Sequence, residues 1–318
     1  MSIREKKRPF PFFLVAAALL FLAGLGILVL TFSQAKQPSR IAIALVGPTR
    51  TSVLSYDPYE GNAALVSIPS ETVVDAVRGY GAYSLSSLFK LDGIEKRKGV
   101  LFLETLEETL GIPVRFFLTV PQDISLEKGQ TIQSINEAFS IFHIIKVVFR
   151  QVSTNLPFSL TYKVFRAVQA LDPKHIVVFD LGEPLFQVSE SEADGTVVKK
   201  LDLARVSLTF GTNIEDARIR REGYRTTVYN TTTFPLLAQG ASRMLETIGV
   251  HVVLVGNTEG SEVGTCKILG AKELEKTLTV KAIGWIFGCV YEEGQADASD
   301  YKILLGTSYA KRFLPFTK

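Results

Sequence analysis

The cysteine and histidine residues, whose side chains form zinc sites or disulfide bridges, are Cys266, Cys289, His143, His175 and His251. Protein zinc sites need cysteine and histidine ligands at short, repeated spacings. The two cysteines and three histidines of this chain are too far apart in sequence to match such a spacing. The sequence therefore predicts no metal site and no resident cofactor.

The two cysteines have a second use, which is to form a disulfide bond. Cys266 lies on a predicted strand and Cys289 follows the helix after it, so both can lie at one end of the same domain. Cysteine pairs persist as disulfides in oxidising compartments. Two buried free thiols are the alternative, but we favour the bridge because the N-terminal segment indicates an extracytoplasmic location.

That N-terminal segment is an uncharged stretch at residues 10–33, which follows a leader at 1–9 with four basic residues and one acidic residue. About 20 apolar residues span a bilayer, and flanking bases hold their end in the cytoplasm. A cleaved signal peptide is the alternative, although its apolar core is usually only about 7–15 residues. We predict a single-pass transmembrane helix, a polar tether at 34–40, and extracytoplasmic domains beyond it.

The charge balance argues against nucleic acid as a partner. The formal net charge is +3, and the leader supplies all of it. The rest of the chain is neutral and has no basic stripe that would neutralise the phosphates of a duplex. We therefore expect a membrane partner through the N-terminal helix and no nucleic acid.

The pattern of apolar residues predicts a first domain of the α/β class at residues 41–205. Its strands are predicted at 41–47, 63–69, 114–120 and 175–181. A predicted helix over Val100–Leu110 has leucines on one face and Glu104, Glu107 and Glu108 on the other. We interpret the glutamate face as exposed to solvent, as is usual for an amphipathic helix.

A linker at 206–221 and a smaller domain at 222–310 are predicted to follow. The predicted elements are a strand at 225–230, a helix at 235–248, strands at 251–257 and 264–270, a helix at 272–287 and a strand at 300–309. Thr233 is the expected N-cap of the first helix. This β-α-β-β-α-β order is that of a ferredoxin-like α+β sandwich.

Several motifs of the second domain match a known pattern. They are Val228-Tyr229-Asn230-Thr231-Thr232, the segment 237–257 that ends in Val255-Gly256-Asn257, Thr265-Cys266-Lys267-Ile268, and the closing segment 301–306. Together they resemble the C-terminal domain of LytR-type proteins. Thr231 stands where that family often has glycine.

The first domain resembles the LytR-CpsA-Psr catalytic domain. The matching pieces are the segment 65–73, Tyr80-Gly81, Leu91-Asp92-Gly93 and the segment 106–120. The resemblance implies a three-layer α/β fold. It also implies transfer of glycopolymers from a polyprenyl-pyrophosphate carrier to peptidoglycan, with Mg²⁺ and several arginines around the pyrophosphate.

The residues at the family's key positions differ from that pattern. Ser70 and Glu71 occupy the positions of the family's Arg-Asp pair. A serine hydroxyl carries no charge and one donor, so it does not replace a guanidinium group. Arg50, Arg78 and Arg97 remain as candidate anion-binding residues, although surface arginines need no such role. We therefore interpret this domain as degenerate and assign no catalytic residue.

Three functions follow from these observations. The first is a membrane-anchored, extracytoplasmic cell-envelope protein that binds or scaffolds the cell wall or its lipid-linked precursors without catalysis. Its candidate partners are peptidoglycan and polyprenyl-linked glycopolymers. The second is an active phosphotransferase, which would need Mg²⁺. The third is a transcriptional regulator, against which the topology and the neutral ectodomain both count.

Overall fold

A computed structural model describes residues 40–127, 129–140, 146, 152–191, 195–258 and 263–316. The predicted leader at 1–9, the predicted transmembrane helix at 10–33 and all but one residue of the predicted tether lie outside these residues. Among the helices that are described, none has the length and apolar character needed to cross a bilayer.

The described elements are numbered here in chain order. The strands are β1 (Ile41–Val46), β2 (Arg50–Asp57), β3 (Asn62–Pro69), β4 (Val73–Ala76), β5 (Gly81–Ser84), β6 (Phe116–Thr119), β7 (Ile176–Asp180), β8 (Gln187–Ser191), β9 (Val197–Leu201), β10 (Arg225–Asn230), β11 (His251–Asn257), β12 (Lys267–Gly270), β13 (Val290–Glu293) and β14 (Tyr301–Leu305). The α-helices are α1 (Leu85–Ile94), α2 (Val100–Leu110), α3 (Thr131–Ala138), α4 (Phe158–Gln169), α5 (Leu203–Phe210), α6 (Ala217–Glu222), α7 (Leu237–Thr247), α8 (Leu278–Phe287) and α9 (Thr307–Ala310).

The first domain is built on a five-stranded mixed sheet in the order β6-β1-β2-β3-β7. Successive side chains of a strand point to opposite faces, and on β1 both faces are apolar. Ala42 and Ala44 pack into one core, with α1, α2 and α5. Ile43 and Leu45 pack into another, with α3 and α4. Helices therefore cover both faces of the sheet in a three-layer α/β arrangement.

A smaller mixed sheet completes this domain in the order β5-β4-β9-β8. The segment 206–221, which we interpreted as a linker, contains most of α5 and all of α6 except its last residue, Glu222. Val206 and Phe210 of α5 are buried in the core that α1 and α2 share. Residues up to Ile214 thus pack with the first domain, and Ile219 packs with the second.

The second domain has a five-stranded mixed sheet in the order β11-β10-β14-β12-β13. The predicted ferredoxin-like sandwich is wrong for two reasons. First, β10 pairs directly with β11 and β12 with β13, both in parallel, so neither βαβ unit is split by another strand. Second, the short strand β13 was not predicted. Both α7 and α8 pack into a single core against the sheet.

The helices of the second domain begin later than predicted. At α7 the N-cap position is Leu236, which has a φ of 59° and no capping side chain, so Thr233 is not the cap. The predicted helix at 272–287 is a short 3₁₀ turn, Lys272–Leu274, followed by α8. The Thr277 hydroxyl caps α8 by accepting a hydrogen bond from Val280 N at 3.3 Å. Cys266 and Cys289 are joined by a disulfide, with 4.3 Å between their Cα atoms.

The glutamate face of α2 is covered by the second domain, which corrects the interpretation that it is exposed to solvent. Glu107 is 1 % exposed, and its carboxylate pairs with Arg312, near the C-terminus. Arg243 of α7 donates a hydrogen bond to the carbonyl oxygen of Glu108. Arg78 binds Glu104 through two nitrogens, each at 2.8 Å. Arg243 and Arg312 lie far from α2 in sequence, and Arg78 lies closer. The periodicity of α2 does not indicate which residues elsewhere in the chain cover its glutamate face.

Candidate functional site

A cleft of about 530 Å³ opens at the end of the first sheet where β1, β3 and β6 finish. Its lining residues are Val46, Gly47, Pro48, Thr49, Thr51, Ser70, Glu71, Ser86, Phe89, Lys90, Thr119 and Val120. The cleft contains Ser70 and Glu71, which occupy the Arg-Asp positions of the family resemblance. It is the candidate site.

Backbone hydrogen bonds hold Ser70 in a rigid position. Its amide donates to the carbonyl oxygen of Thr49 at 2.9 Å, and its own carbonyl accepts from Ser86 N at 2.9 Å. The first bond ties Ser70 to the β1–β2 turn and the second ties it to the beginning of α1. Ser70 is 6 % exposed, so its side chain is enclosed at the base of the cleft rather than free in solvent.

The carboxylate of Asp123 organises the β1–β2 turn. It accepts hydrogen bonds from Thr49 N at 3.1 Å and Arg50 N at 3.0 Å, and also from the Thr49 hydroxyl. A Cβ atom at Gly47 would clash with Oδ1 of Asp123 and lie 3.1 Å from the Arg50 carbonyl oxygen, so a larger residue would displace the carboxylate from the turn. Asp123 was missed in the sequence, although its place just after β6, beside the parallel strand β1, is a common position for site residues.

The cleft carries no excess of positive charge. Among the described residues that line it, the charged side chains are Glu71 and Lys90, one of each sign, and both are exposed. The carboxylate of Asp123 is bonded to the backbone of the turn and does not line the cleft. The remaining polar groups are the hydroxyls of threonine and serine, beside the ring of Phe89. This lining can hydrogen-bond to a polar ligand, but it does not neutralise a pyrophosphate, which needs guanidinium forks or a metal.

No group of three or more histidine, cysteine, aspartate or glutamate side chains that could hold a metal ion occurs in the part of the chain that the structure describes.

Arg50, the first of the three candidate anion-binding residues, lies on the opposite face of the sheet from the cleft. Thr51 faces the cleft, and its neighbour Arg50 points the other way because side chains alternate along β2. The guanidinium group of Arg50 pairs with Asp180 and donates from Nε to the Ser67 hydroxyl at 2.7 Å. Arg50 is therefore part of a local network on the far face.

Arg78 and Arg97 are brought together, but away from the cleft. The centre of the Phe316 ring lies 4.6 Å from the Arg78 guanidinium carbon and 3.9 Å from that of Arg97. Glu104 and Glu95 supply carboxylates to Arg78 and Arg97, respectively. The C-terminal segment thus occupies the space between the two guanidinium groups.

A hydrogen-bonded phenol adds to this cluster. The hydroxyl of Tyr80 donates to Oε2 of Glu95 at 2.5 Å, and this bond holds the pKa of the Glu95 carboxyl below its usual range. Glu95 therefore stays ionised as the partner of Arg97. None of Arg50, Arg78 and Arg97 lines the cleft beside Ser70.

Comparison with known proteins yields distant similarity in structure only. No protein-family model matches the sequence, and no curated protein matches it significantly. The transcriptional regulator yvhJ from Bacillus subtilis is 14% identical with a TM-score of 0.41, over 56% of this chain and 98% of that one. TagV from B. subtilis is 14% identical with a TM-score of 0.39, over 56% and 98%.

A third structure is the LytR-Cps2A-Psr family protein YwtF (TagT), solved with a bound octaprenyl pyrophosphate lipid. It is 16% identical with a TM-score of 0.37, over 57% of this chain and 93% of that one. The chain thus has a distant structural similarity to LytR-CpsA-Psr proteins over about half of its length.

Proposed function

We propose that this protein is a membrane-anchored, extracytoplasmic cell-envelope protein that binds or scaffolds the cell wall or its lipid-linked precursors, and that it does not catalyse phosphotransfer. The sequence motifs that resemble the LytR-CpsA-Psr and LytR C-terminal domains support the envelope role. The uncharged stretch at 10–33 supports the anchor and the extracytoplasmic location of the two domains.

The charge of the cleft is the observation that supports the absence of phosphotransfer. Its base presents the neutral hydroxyl of Ser70, and its two charged lining residues, Glu71 and Lys90, cancel. Transfer from a pyrophosphate concentrates negative charge on oxygen atoms in the transition state, and this charge needs preorganised cations. A cleft without a cationic excess provides binding contacts and little stabilisation of that transition state.

The positions of the candidate arginines support the same conclusion. Arg50 is paired with Asp180 on the far side of the sheet. Arg78 and Arg97 are held by carboxylates and by the ring of Phe316. Each guanidinium group already has partners, and none of the three lines the cleft, so they do not act together on a ligand bound there.

A transfer assay tests the proposal. The full chain in detergent is incubated with a polyprenyl-pyrophosphate-linked glycopolymer, peptidoglycan and Mg²⁺, and released carrier phosphate is measured. We expect no release above background. We also expect the protein to co-sediment with peptidoglycan or with vesicles that carry the lipid-linked precursor. Mg²⁺-dependent release that Arg50→Ala or Arg78→Ala abolishes would instead establish the phosphotransferase, and the absence of co-sedimentation with either partner would contradict the binding role.

A gain of charge at the base of the cleft provides a matched comparison. Ser70→Arg is expected to increase affinity for a soluble pyrophosphate by about tenfold or more, because a guanidinium group adds a charge-assisted hydrogen bond of about 1.5–3 kcal/mol. Ser189→Arg adds the same group on an exposed strand, β8, and should leave that affinity unchanged. Equal gains in both variants would show that the position at the cleft does not matter.

A further inference from the structure

A second cavity lies where the two domains meet, on the α2 side of the first domain. It measures about 280 Å³, and residues of both domains line it. The first domain contributes Arg78, Glu104 and Arg115, and the second contributes Trp285, Tyr309 and Arg312 among others. We call it the junction pocket. It is separate from the cleft beside Ser70.

Positive charge exceeds negative charge at the junction pocket. Three guanidinium groups line it, and the carboxylates that pair with them are Glu104 and Glu107. Glu104 binds Arg78, and Glu107 is shared between Arg115 and Arg312. Glu108 also lies near Arg312, but it pairs with Arg243, a fourth guanidinium group, so the balance of charge stays positive. The side chain of Arg312 is 7 % exposed, so water solvates this excess charge poorly. An anion attracts such a cation more strongly than it attracts a cation in open water, because the local dielectric constant is lower.

Several buried polar atoms at the pocket have no hydrogen-bond partner among the described residues. Nη2 of Arg115 donates to the carbonyl oxygen of Ile286. Nε of Arg115 lies 3.3 Å from Oε1 of Glu107 but is not aligned to donate to it, and neither atom has a hydrogen-bond partner among the described residues. The hydroxyl of Tyr309 is likewise buried without a partner there. Burial raises the pKa of Tyr309, so the phenol keeps its proton and remains a donor.

We propose that the junction pocket binds a phosphate group. Arginine forks match phosphate oxygens in a bidentate manner, and Arg115 is the most exposed of the three guanidinium groups, at 33 %. Arg115 and Arg312 hold the oxygens, and the carboxylates of Glu104 and Glu107 keep the arginines in place. The volume accommodates a phosphate with a small substituent, so free phosphate and the phosphate of a larger molecule share this chemistry.

The single tryptophan of the chain provides the signal for a test. Trp285 lies at the pocket, with its ring centre 5.6 Å from the guanidinium carbon of Arg115. The full chain in detergent is titrated with inorganic phosphate at constant ionic strength, with chloride as the balancing anion. Fluorescence and calorimetry are recorded together. We expect a saturable response to phosphate and none to chloride.

Variants at Arg115 test whether phosphate binds at this pocket or is attracted by positive charge anywhere on the protein. Arg115→Gln should weaken phosphate binding at least tenfold, whereas Arg205→Gln, at an exposed ion pair with Asp202, should not change it. Arg115→Lys keeps the charge and loses the fork, so an intermediate affinity is expected. It serves as the test variant if Arg115→Gln does not keep its near-ultraviolet circular dichroism.

A parallel titration with glycerol 3-phosphate identifies the source of the phosphate. Binding of both probes indicates a phosphate on a larger molecule, and binding of inorganic phosphate alone indicates the free ion. No saturable binding of either probe by fluorescence or calorimetry up to 10 mM (about 2.7 kcal/mol at the 1 M standard state) would overturn the proposal. Equal affinity in the wild type and Arg115→Gln would do the same.

Discussion

Arg50 and Thr51 are adjacent in sequence, yet they belong to different surfaces of the first domain. The alternation of side chains along β2 places Thr51 at the cleft and Arg50 with Asp180 on the other face. A shift of one residue in register would exchange them and bring a guanidinium group to the cleft. The neutral character of the cleft thus depends on strand register as much as on the presence of Ser70.

Glu108 provides a prediction about pH at the scale of one residue. Burial raises the pKa of its carboxyl, against the opposing effect of Arg243. A carboxyl with a raised pKa binds its proton more tightly in the folded state than in the unfolded state. Its stabilising contribution is complete at pH values below the pKa of the unfolded state, about 4.3. The contribution is lost as the pH rises through the pKa of the folded state. Glu108→Gln should remove this loss.

The measurement is urea unfolding of the wild type and Glu108→Gln between pH 4 and pH 8. The free energy of unfolding of the variant should increase relative to that of the wild type as the pH rises above the pKa of the unfolded state. Glu183→Gln, at an exposed position, is the control and should follow the wild type. A difference that does not change with pH would contradict the raised pKa of Glu108.

At the scale of elements, local sequence signals predicted the helices and strands that have their own apolar pattern. Helix α2 begins and ends where periodicity and Gly111 indicate. The start of α7 was missed because Leu236 takes a left-handed conformation that a propensity argument does not favour. The short strand β13 was missed because its four residues, Val290–Glu293, alternate too briefly to distinguish from a loop.

The order of strands in the second domain depends on pairing that sequence order does not specify. The same succession of strands and helices fits a split βαβ unit and two simple βαβ units. The final strand, β14, decides between them by inserting between β10 and β12. The cleft was likewise only partly predictable: motif position indicated Ser70 and Glu71, while Asp123 and Lys90 reach the site through tertiary packing.

The disulfide provides a prediction for the β12-α8 unit. It connects the residue before β12 to the residue after the C-cap of α8, with a sequence separation of 23. Closing a loop of this length restricts the unfolded chain and contributes about 2–4 kcal/mol. Reduction, or the double substitution Cys266→Ala and Cys289→Ala, should lower the free energy of unfolding by that amount.

Thermal and urea unfolding of oxidised and reduced protein provide the measurement for the disulfide. Reduction of the double variant is the control, because it contains no thiol and should not respond. Identical stabilities of oxidised and reduced wild type would contradict the predicted contribution.

At the scale of the whole molecule, the C-terminal segment joins the two domains. The described residues after β14 place Arg312 against Glu107 and Phe316 between Arg78 and Arg97. The Arg312–Glu107 pair is the most buried of these contacts, with side chains 7 % and 1 % exposed. Loss of one partner from a buried pair leaves the other charge without compensation.

Arg312→Ala should therefore lower the free energy of unfolding by about 3 kcal/mol, at the low end of the range for buried pairs because Arg115 still faces Glu107. Arg221→Ala removes an exposed pair with Glu60 and should cost less than about 1 kcal/mol. Urea unfolding of the three proteins measures both effects. Equal losses in the two variants would show that the buried pair does not stabilise the junction.

The distance between Glu107 and Arg312 along the chain also bears on synthesis. The ribosome adds Arg312 205 residues after Glu107, when the strands and helices of the first domain have already been synthesised. Until then the acidic side of α2 lacks this counterion, although Arg115 has already emerged. Domains generally fold as units from the N-terminus during synthesis. The nascent first domain therefore leaves the ribosome before Arg312 does, and the Arg312–Glu107 contact forms only after Arg312 has left the exit tunnel.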